Sequence, residues 1–209
     1  MFKWILTIVC SLASLAYCMP HYLRGGANRL VWKFSGTSCA LPLAVYGAAV
    51  HGGRAWLCVA GIAVCAVADV MLEKKFIVGM ACFATAHVLY IIWMTGMQKL
   101  TPVQPVVSAI LLCIVALLLY TWRKPIGSMM VPYIIYGVMV TLMGACAVGC
   151  ALDGSLAGII IAVGGLMFVA SDSLVCRGTV MRVDYTHHLI TMGLYYGAQL
   201  CFAAGVALK

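Results

Sequence analysis

Two stretches decide how this chain is read: Ala63 to Leu72, AVCAVADVML, and Gly164 to Val175, GGLMFVASDSLV. Each is an apolar run interrupted by one carboxyl, Asp69 or Asp172, with no Lys or Arg inside it. A carboxylate at the centre of a membrane-spanning helix costs about 2.5–3.5 kcal/mol on insertion scales, so such a group normally faces a protein interior or a wet cavity. The two aspartates are therefore the first candidates for a functional site.

The rest of the chain explains the setting. Of 209 residues, 65% are hydrophobic and 9% charged, and the mean hydropathy of +1.10 excludes an ordinary water-soluble domain. Crossing a hydrocarbon core of ~30 Å takes roughly 20 apolar residues in a helix. The hydrophilic breaks cut the sequence into eight such pieces, near residues 4–19, 34–51, 55–72, 76–96, 103–122, 130–152, 155–175 and 189–208. The predicted fold is thus all-α, a single integral-membrane domain over 1–209, with no alternation of the barrel type. The first span also has features of a signal peptide, with Lys3 before a short apolar run that ends in small residues.

The net charge of +8 sits in the short breaks rather than in a stripe or tail, which marks topology and not nucleic-acid binding. An even number of spans puts both termini on one side. That side carries Lys3, Arg54, Lys99 and Lys209, four residues, against nine on the other: Arg24, Arg29, Lys33, Lys74, Lys75, Arg123, Lys124, Arg177 and Arg182. The richer side is expected in the cytoplasm and the termini outside. The expected location is a multi-pass protein of a plasma membrane of the bacterial inner-membrane type. Of the eleven cysteines most lie within apolar spans and none forms a CxxC pair, so they read as small buried hydrophobes.

Asp69 closes the third span and Asp172 the seventh. Both spans run in the same direction, so the two carboxyls are predicted at one depth, about a helical turn inside the cytoplasmic boundary. Ser35, Thr37, Ser38, Tyr133, Tyr136, Thr191, Tyr195 and Gln199 enter the same half of the bilayer, while His87 and Tyr90 lie nearer the midplane. A polar pocket opening towards the cytoplasmic leaflet is expected. For the tyrosines, serines and threonines the competing reading is interfacial anchoring or interhelical hydrogen bonding; for His87 it is a core histidine bonded to a carbonyl. His187 and His188 fall at the edge, and with no HExxH or paired HxxxH on a helix no metal site is expected.

The run from Ala68 to Tyr90, with Asp69-x-x-Leu72, Phe76-x-x-Gly79 and Phe83-x-x-x-His87-x-x-Tyr90, resembles the YhhN-like family of membrane lysoplasmalogenases. So do Tyr136 to Ala145, the Ser171-Asp172-Ser173 core within Phe168 to Leu174, and Tyr195-Tyr196-x-x-Gln199, all in family order. Two features depart from the family pattern: Ala68 stands where Gly usually precedes the aspartate, and the segment from Cys176 to His188 reads as a long loop. The resemblance implies hydrolysis of the vinyl-ether bond of 1-alkenyl glycerophosphocholines or glycerophosphoethanolamines to a fatty aldehyde and the glycerophosphodiester. Its substrate is a lysophospholipid met in the membrane, and no cofactor is implied.

A protonated and an ionised carboxyl suit that chemistry, which passes through an oxocarbenium ion as glycosidases do. Asp69, Asp172 and His87 are the expected catalytic residues; the sequence does not decide which aspartate is acid and which base, and Asp172 as acid with Asp69 as base is the arrangement taken forward. Ser171, Ser173, Tyr90, Tyr136, Tyr195 and Gln199 are the expected substrate-binding groups. The rival expectation is a proton-coupled transporter that loads and releases protons on the same aspartates.

Overall fold

Apolar runs of this length, with every backbone polar group to be satisfied inside lipid, leave helices as the available structure. The computed structural model describes the backbone of residues 2–209, and side chains at residue 9 and residues 11–209. Those of Lys3, counted above, and of Cys10, one of the eleven cysteines, lie outside the described residues. Ten α-helices follow one another: α1 Phe2–Arg24, α2 Arg29–Ser38, α3 Leu41–His51, α4 Ala55–Lys74, α5 Phe76–Met97, α6 Val103–Thr121, α7 Arg123–Ile126, α8 Met130–Cys150, α9 Leu156–Val180 and α10 Tyr185–Leu208. Short 3-10 turns precede and follow α8.

Among the described residues, six helical segments are long and apolar enough to cross a membrane: α4, α5, α6, the stretch from α7 through α8, α9 and α10. The chain is a multi-pass integral membrane protein. Of the eight expected spans, the first falls on α1, and the second is not one helix but two, α2 and α3, broken at Cys39 and Ala40. Pro42 supplies the reason. It has no N–H for the carbonyl of Ser38, one turn back, and its ring crowds that carbonyl. The Cys39 amide bonds to Ser35 and Gly36 instead, closing α2 in a tight turn.

The break separates two packing jobs. α2 packs on α1 and α4, whereas α3 packs on α10 and α4. Gly25 and Gly26, at φ 75° and 98°, make the turn that sends α2 back beside α1. The α4–α5 hairpin turns at Lys75 alone, and a Cβ at Gly79 would collide with the backbone of Leu72. The tightest pairs are α4 with α5 and α9 with α10, joined through α8 on α9 and α5 on α8; α6 sits at the edge and packs chiefly on α8. The main core is aromatic: Tyr90, Trp93, Phe168, Tyr196 and Phe202 are fully buried, with Phe168 stacked on Phe202 at 6.2 Å.

One sequence expectation needs correction here. The segment from Cys176 to His188 is mostly helix, with α9 running to Val180 and α10 starting at Tyr185. Asp184 caps α10 by accepting from the His187 amide at 2.9 Å. Arg177, Arg182 and the two histidines made this stretch look like a loop, but near a membrane surface polar residues are at home on helix ends too.

Candidate active site

Asp69 sits on the last turns of α4 and is buried at 2% exposure. Its carboxylate meets α2 and α10. Thr37 donates to Oδ2, Tyr195 donates to the same oxygen at 2.9 Å, and Lys33 Nζ lies 3.9 Å from Oδ1. Lys33 is itself 4% exposed, an ammonium that survives burial only because carboxylates surround it. The absence of a basic residue in the flanking sequence therefore misled: Asp69 has a cationic partner, delivered from another helix. Lys33, counted above as a topology mark at the membrane edge, is part of the site.

Asp172 occupies the matching place on α9 in different company. Tyr136 of α8 donates to Oδ2 at 2.6 Å, and His87 Nε2 of α5 stands 3.7 Å from that oxygen. No Lys or Arg lies within salt-bridge distance of it among the described residues. His87 is fully buried, and neither of its ring nitrogens has a hydrogen-bond partner among the described residues. Leaving such a group unpaired in the interior costs about 1–3 kcal/mol, and the ring is held regardless, edge-on to Phe168 at 5.0 Å and beside Tyr136 at 5.4 Å.

Both carboxyls line one cavity of about 520 Å³, counting its open mouth, together with Lys33, Tyr136 and Tyr195. Phe76, Met80 and Phe83 form an apolar wall. Above it opens a wider vestibule of about 750 Å³ between Arg29, Lys33, Glu73, Thr179 and His188, sharing Lys33 and Phe76 with the inner cavity. Glu73 ties its rim together, accepting from Lys33 at 3.2 Å and from Tyr22 and Arg29 at 3.3 Å each.

The other expected groups divide. Tyr136 and Tyr195 reach the carboxyls directly. Ser171 lines the cavity, but its hydroxyl donates to the Thr191 carbonyl at 3.1 Å, tying α9 to α10. Ser173 donates to the carbonyl of Val169 in its own helix at 2.9 Å and faces a second cavity on the α8 side, which Asp172 also lines. Tyr90 and Gln199 lie deeper, both buried, with Tyr90 donating to Gln199 Oε1 at 2.7 Å; neither lines the two cavities that meet at Asp172. His187 bonds to the Leu174 carbonyl at 3.0 Å and to Arg177 at 3.3 Å, at the vestibule. Among the described residues no three His, Cys, Asp or Glu side chains gather as a metal-ligand set.

Lys33 is the group that the sequence reasoning left out of the pocket, and Thr37, expected there only as one polar residue among several, bonds to the Asp69 carboxylate. A signal existed. Arg29, Lys33 and Thr37 recur every fourth residue, which is one helix face, and Asp69 and Glu73 have the same spacing on α4. The two faces meet as a ladder of opposite charge, Arg29 and Lys33 on Glu73, then Lys33 and Thr37 on Asp69.

Comparisons with known proteins place the chain in a family. Lysoplasmalogenase TMEM86B of Rattus norvegicus is 30% identical over 208 residues, covering 95% of this chain and 81% of the relative. Lysoplasmalogenase TMEM86B of Homo sapiens is 31% identical over 197 residues, covering 89% and 80%. No solved structure matches. The YhhN family model matches residues 28–206, a range that takes in the whole charge ladder, both aspartates and His87, and the chain belongs to the YhhN family.

Proposed function

We propose that this protein is a lysoplasmalogenase, hydrolysing the vinyl-ether bond of 1-alkenyl glycerophosphocholine or glycerophosphoethanolamine. The observation that carries the reading is the pair of carboxyls on one cavity, Asp69 beside an ammonium and two hydroxyl donors, Asp172 beside a phenol and an imidazole with no ammonium among the described residues. The named relatives support it.

In this reading Asp172 delivers its proton to the alkene carbon remote from the ether oxygen. The new C–H bond takes the π electrons, and the positive charge settles on the adjacent carbon and the ether oxygen as an oxocarbenium ion. Asp69, held as a carboxylate by Lys33, Thr37 and Tyr195, offsets that charge and accepts a proton from the water that adds to the cation. The hemiacetal then breaks its C–O bond to glycerol as Asp69 returns its proton to the departing glycerol oxygen and Asp172 takes the hemiacetal O–H proton, releasing a fatty aldehyde and the glycerophosphodiester and restoring both carboxyls. Tyr136 holds Asp172 in position, with the His87 ring packed beside it. A preformed carboxylate in a water-poor cavity needs no reorganisation as charge develops.

A transport role for the same aspartates is less well supported. Tyr90, Trp93, Phe168 and Phe202 are packed, fully buried, between the site and the end of the bundle where His51, Arg54 and Lys209 gather. We assign the site end to the cytoplasm, with both termini outside, from the nine-to-four distribution of Lys and Arg in the sequence. A reporter fused after Lys209 should be active only outside; activity only in the cytoplasm overturns the orientation. The function itself is tested by incubating purified protein with lysoplasmalogen and measuring free aldehyde. Release is expected, and its absence in folded protein overturns the reading.

A further inference from the structure

The cavity holding the two aspartates does not end at Asp172. Tyr133, Tyr136, Asp172 and Cys176 are shared with a second cavity of about 350 Å³, counting its open side, that runs towards α6 between Val115, Leu119 and Val140. Val115, Leu119 and Gly137 are shared in turn with an outer cleft between α6 and α8. The outer cleft is walled by Leu112, Ile134 and Val138, side chains that are 39%, 49% and 36% exposed on the lipid-facing surface of the bundle. A series of adjoining cavities thus leads from the carboxyl of Asp172 sideways towards the hydrocarbon, and past Asp172 its lining is apolar apart from Ser173, Tyr133 and Tyr136 until Arg123 at the outer end, stacked on Tyr120 at 4.0 Å.

The opposite direction has the opposite character. From Asp69 the cavity opens into the vestibule rimmed by Arg29, Lys33 and Glu73. An amphiphile whose reacting bond joins its chain to its glycerol needs this division, with the chain leaving the acid on one side and the phosphate on the other. Two features keep the apolar branch open. α6 packs chiefly on α8 and on little else, so the seam between them borders lipid. Gly137 lies where the two apolar cavities meet, and a Cβ there would stand 3.0 Å from Val115 Cγ1, closing the gap.

We propose that the cleft between α6 and α8 is the binding site for the alkenyl chain of the substrate, filled laterally from the bilayer through the seam at Gly137 and Leu119. The proposal rests on the lysoplasmalogenase reading for the identity of the ligand. Chain-length selectivity then belongs to Val115, Leu119 and Gly137, and headgroup contacts belong to the vestibule.

The test compares kcat/KM for a hexadecenyl and a hexenyl lysoplasmalogen in the same micelles. Leu119→Trp and Gly137→Val should each lower the long-to-short ratio by about tenfold, the burial of roughly two methylenes. Leu117→Trp, on the same helix but 63% exposed to lipid and outside the cleft, should leave the ratio where it is. An unchanged ratio in folded Leu119→Trp and Gly137→Val overturns the proposal. A second measurement does not depend on turnover or on the variants folding: a saturated alkyl-ether lysophospholipid with a diazirine at the chain end, photolysed on wild-type protein, should label residues 112–123 and 130–138. Labelling confined to other helices overturns the chain site even if aldehyde is released. If no aldehyde forms but α6 and α8 are labelled, the chain site stands and the hydrolase reading is what has failed.

Discussion

The ends of α4 and α9 look alike in sequence and differ in the folded protein. Both carry an aspartate in an apolar run about a turn from the polar boundary, and both aspartates reach one cavity. Asp69 is embedded in donors: an ammonium, a threonine hydroxyl and a tyrosine hydroxyl. Asp172 has one hydroxyl donor and an imidazole at 3.7 Å, and its side chain is 10% exposed against 2% for Asp69. A shared cavity with unequal neighbours can hold one carboxyl ready to give a proton and the other ready to meet a cation. The lesson is that the role of a buried acid is set by the helices packed against it, here α2 and α10 for one and α5 and α8 for the other.

The sharpest way to break the comparison is to remove each carboxyl in turn. Asp172→Asn should lower kcat for aldehyde release by roughly 10³, the scale of a lost general acid. Asp69→Asn should cost about 10², because an amide keeps a dipole but not a charge near the oxocarbenium ion. The double variant should be only a few-fold worse than Asp172→Asn alone, as expected of groups acting in one step. Single-turnover assays on folded, membrane-inserted protein measure all three. A larger loss at Asp69 than at Asp172 would exchange the two roles.

The second contrast is the ammonium, present among the described residues at one aspartate only. Lys33→Met should destabilise the protein by ~3 kcal/mol, since it leaves Asp69 buried with a charge and no cation. Combining it with Asp69→Asn should restore most of that loss, because the stranded charge is then gone. Denaturant titrations of the protein in detergent check both. Lys33→Met without a stability change would show that the 3.9 Å pair is incidental to Asp69.

How far the sequence could anticipate this site depends on the reach of each interaction. Helix content, the one-sided polar pocket and the two aspartates were legible because hydropathy and periodicity are local properties. Tyr136 and Tyr195 were legible as polar residues at the right depth, and they touch the carboxyls. Gln199 was expected at the depth of those tyrosines and Tyr90 nearer the midplane, yet the two pair with each other away from the carboxyls, because depth says nothing about which way a helix face is turned. Lys33 was hidden for another reason: a basic residue near a membrane boundary has a sufficient local explanation, and its contact with Asp69 spans separate helices. The break in the second span was signalled by Pro42, which hydropathy alone passes over.

The smallest expected difference lies between the two tyrosines. Among the described residues Tyr136 is the one hydroxyl donating to Asp172, whereas Tyr195 shares Asp69 with Thr37 and Lys33. Tyr136→Phe removes the bond that orients the acid and leaves only the imidazole beside it, so kcat should fall about tenfold, the worth of roughly one hydrogen bond to a charged or proton-sharing group. Tyr195→Phe leaves Asp69 with Thr37 and the ammonium, so the fall should be only a few-fold. Both substitutions keep the ring, which packs at 5.4 Å from His87 for Tyr136 and at 5.6 Å from Phe168 for Tyr195, so stability should change by less than about 1.5 kcal/mol in each. KM should move little in either variant if these hydroxyls act on the aspartates rather than on the lipid. A rise in KM at constant kcat would instead make them substrate contacts, and equal falls in kcat would remove the asymmetry between the two acids on which the assignment of roles depends.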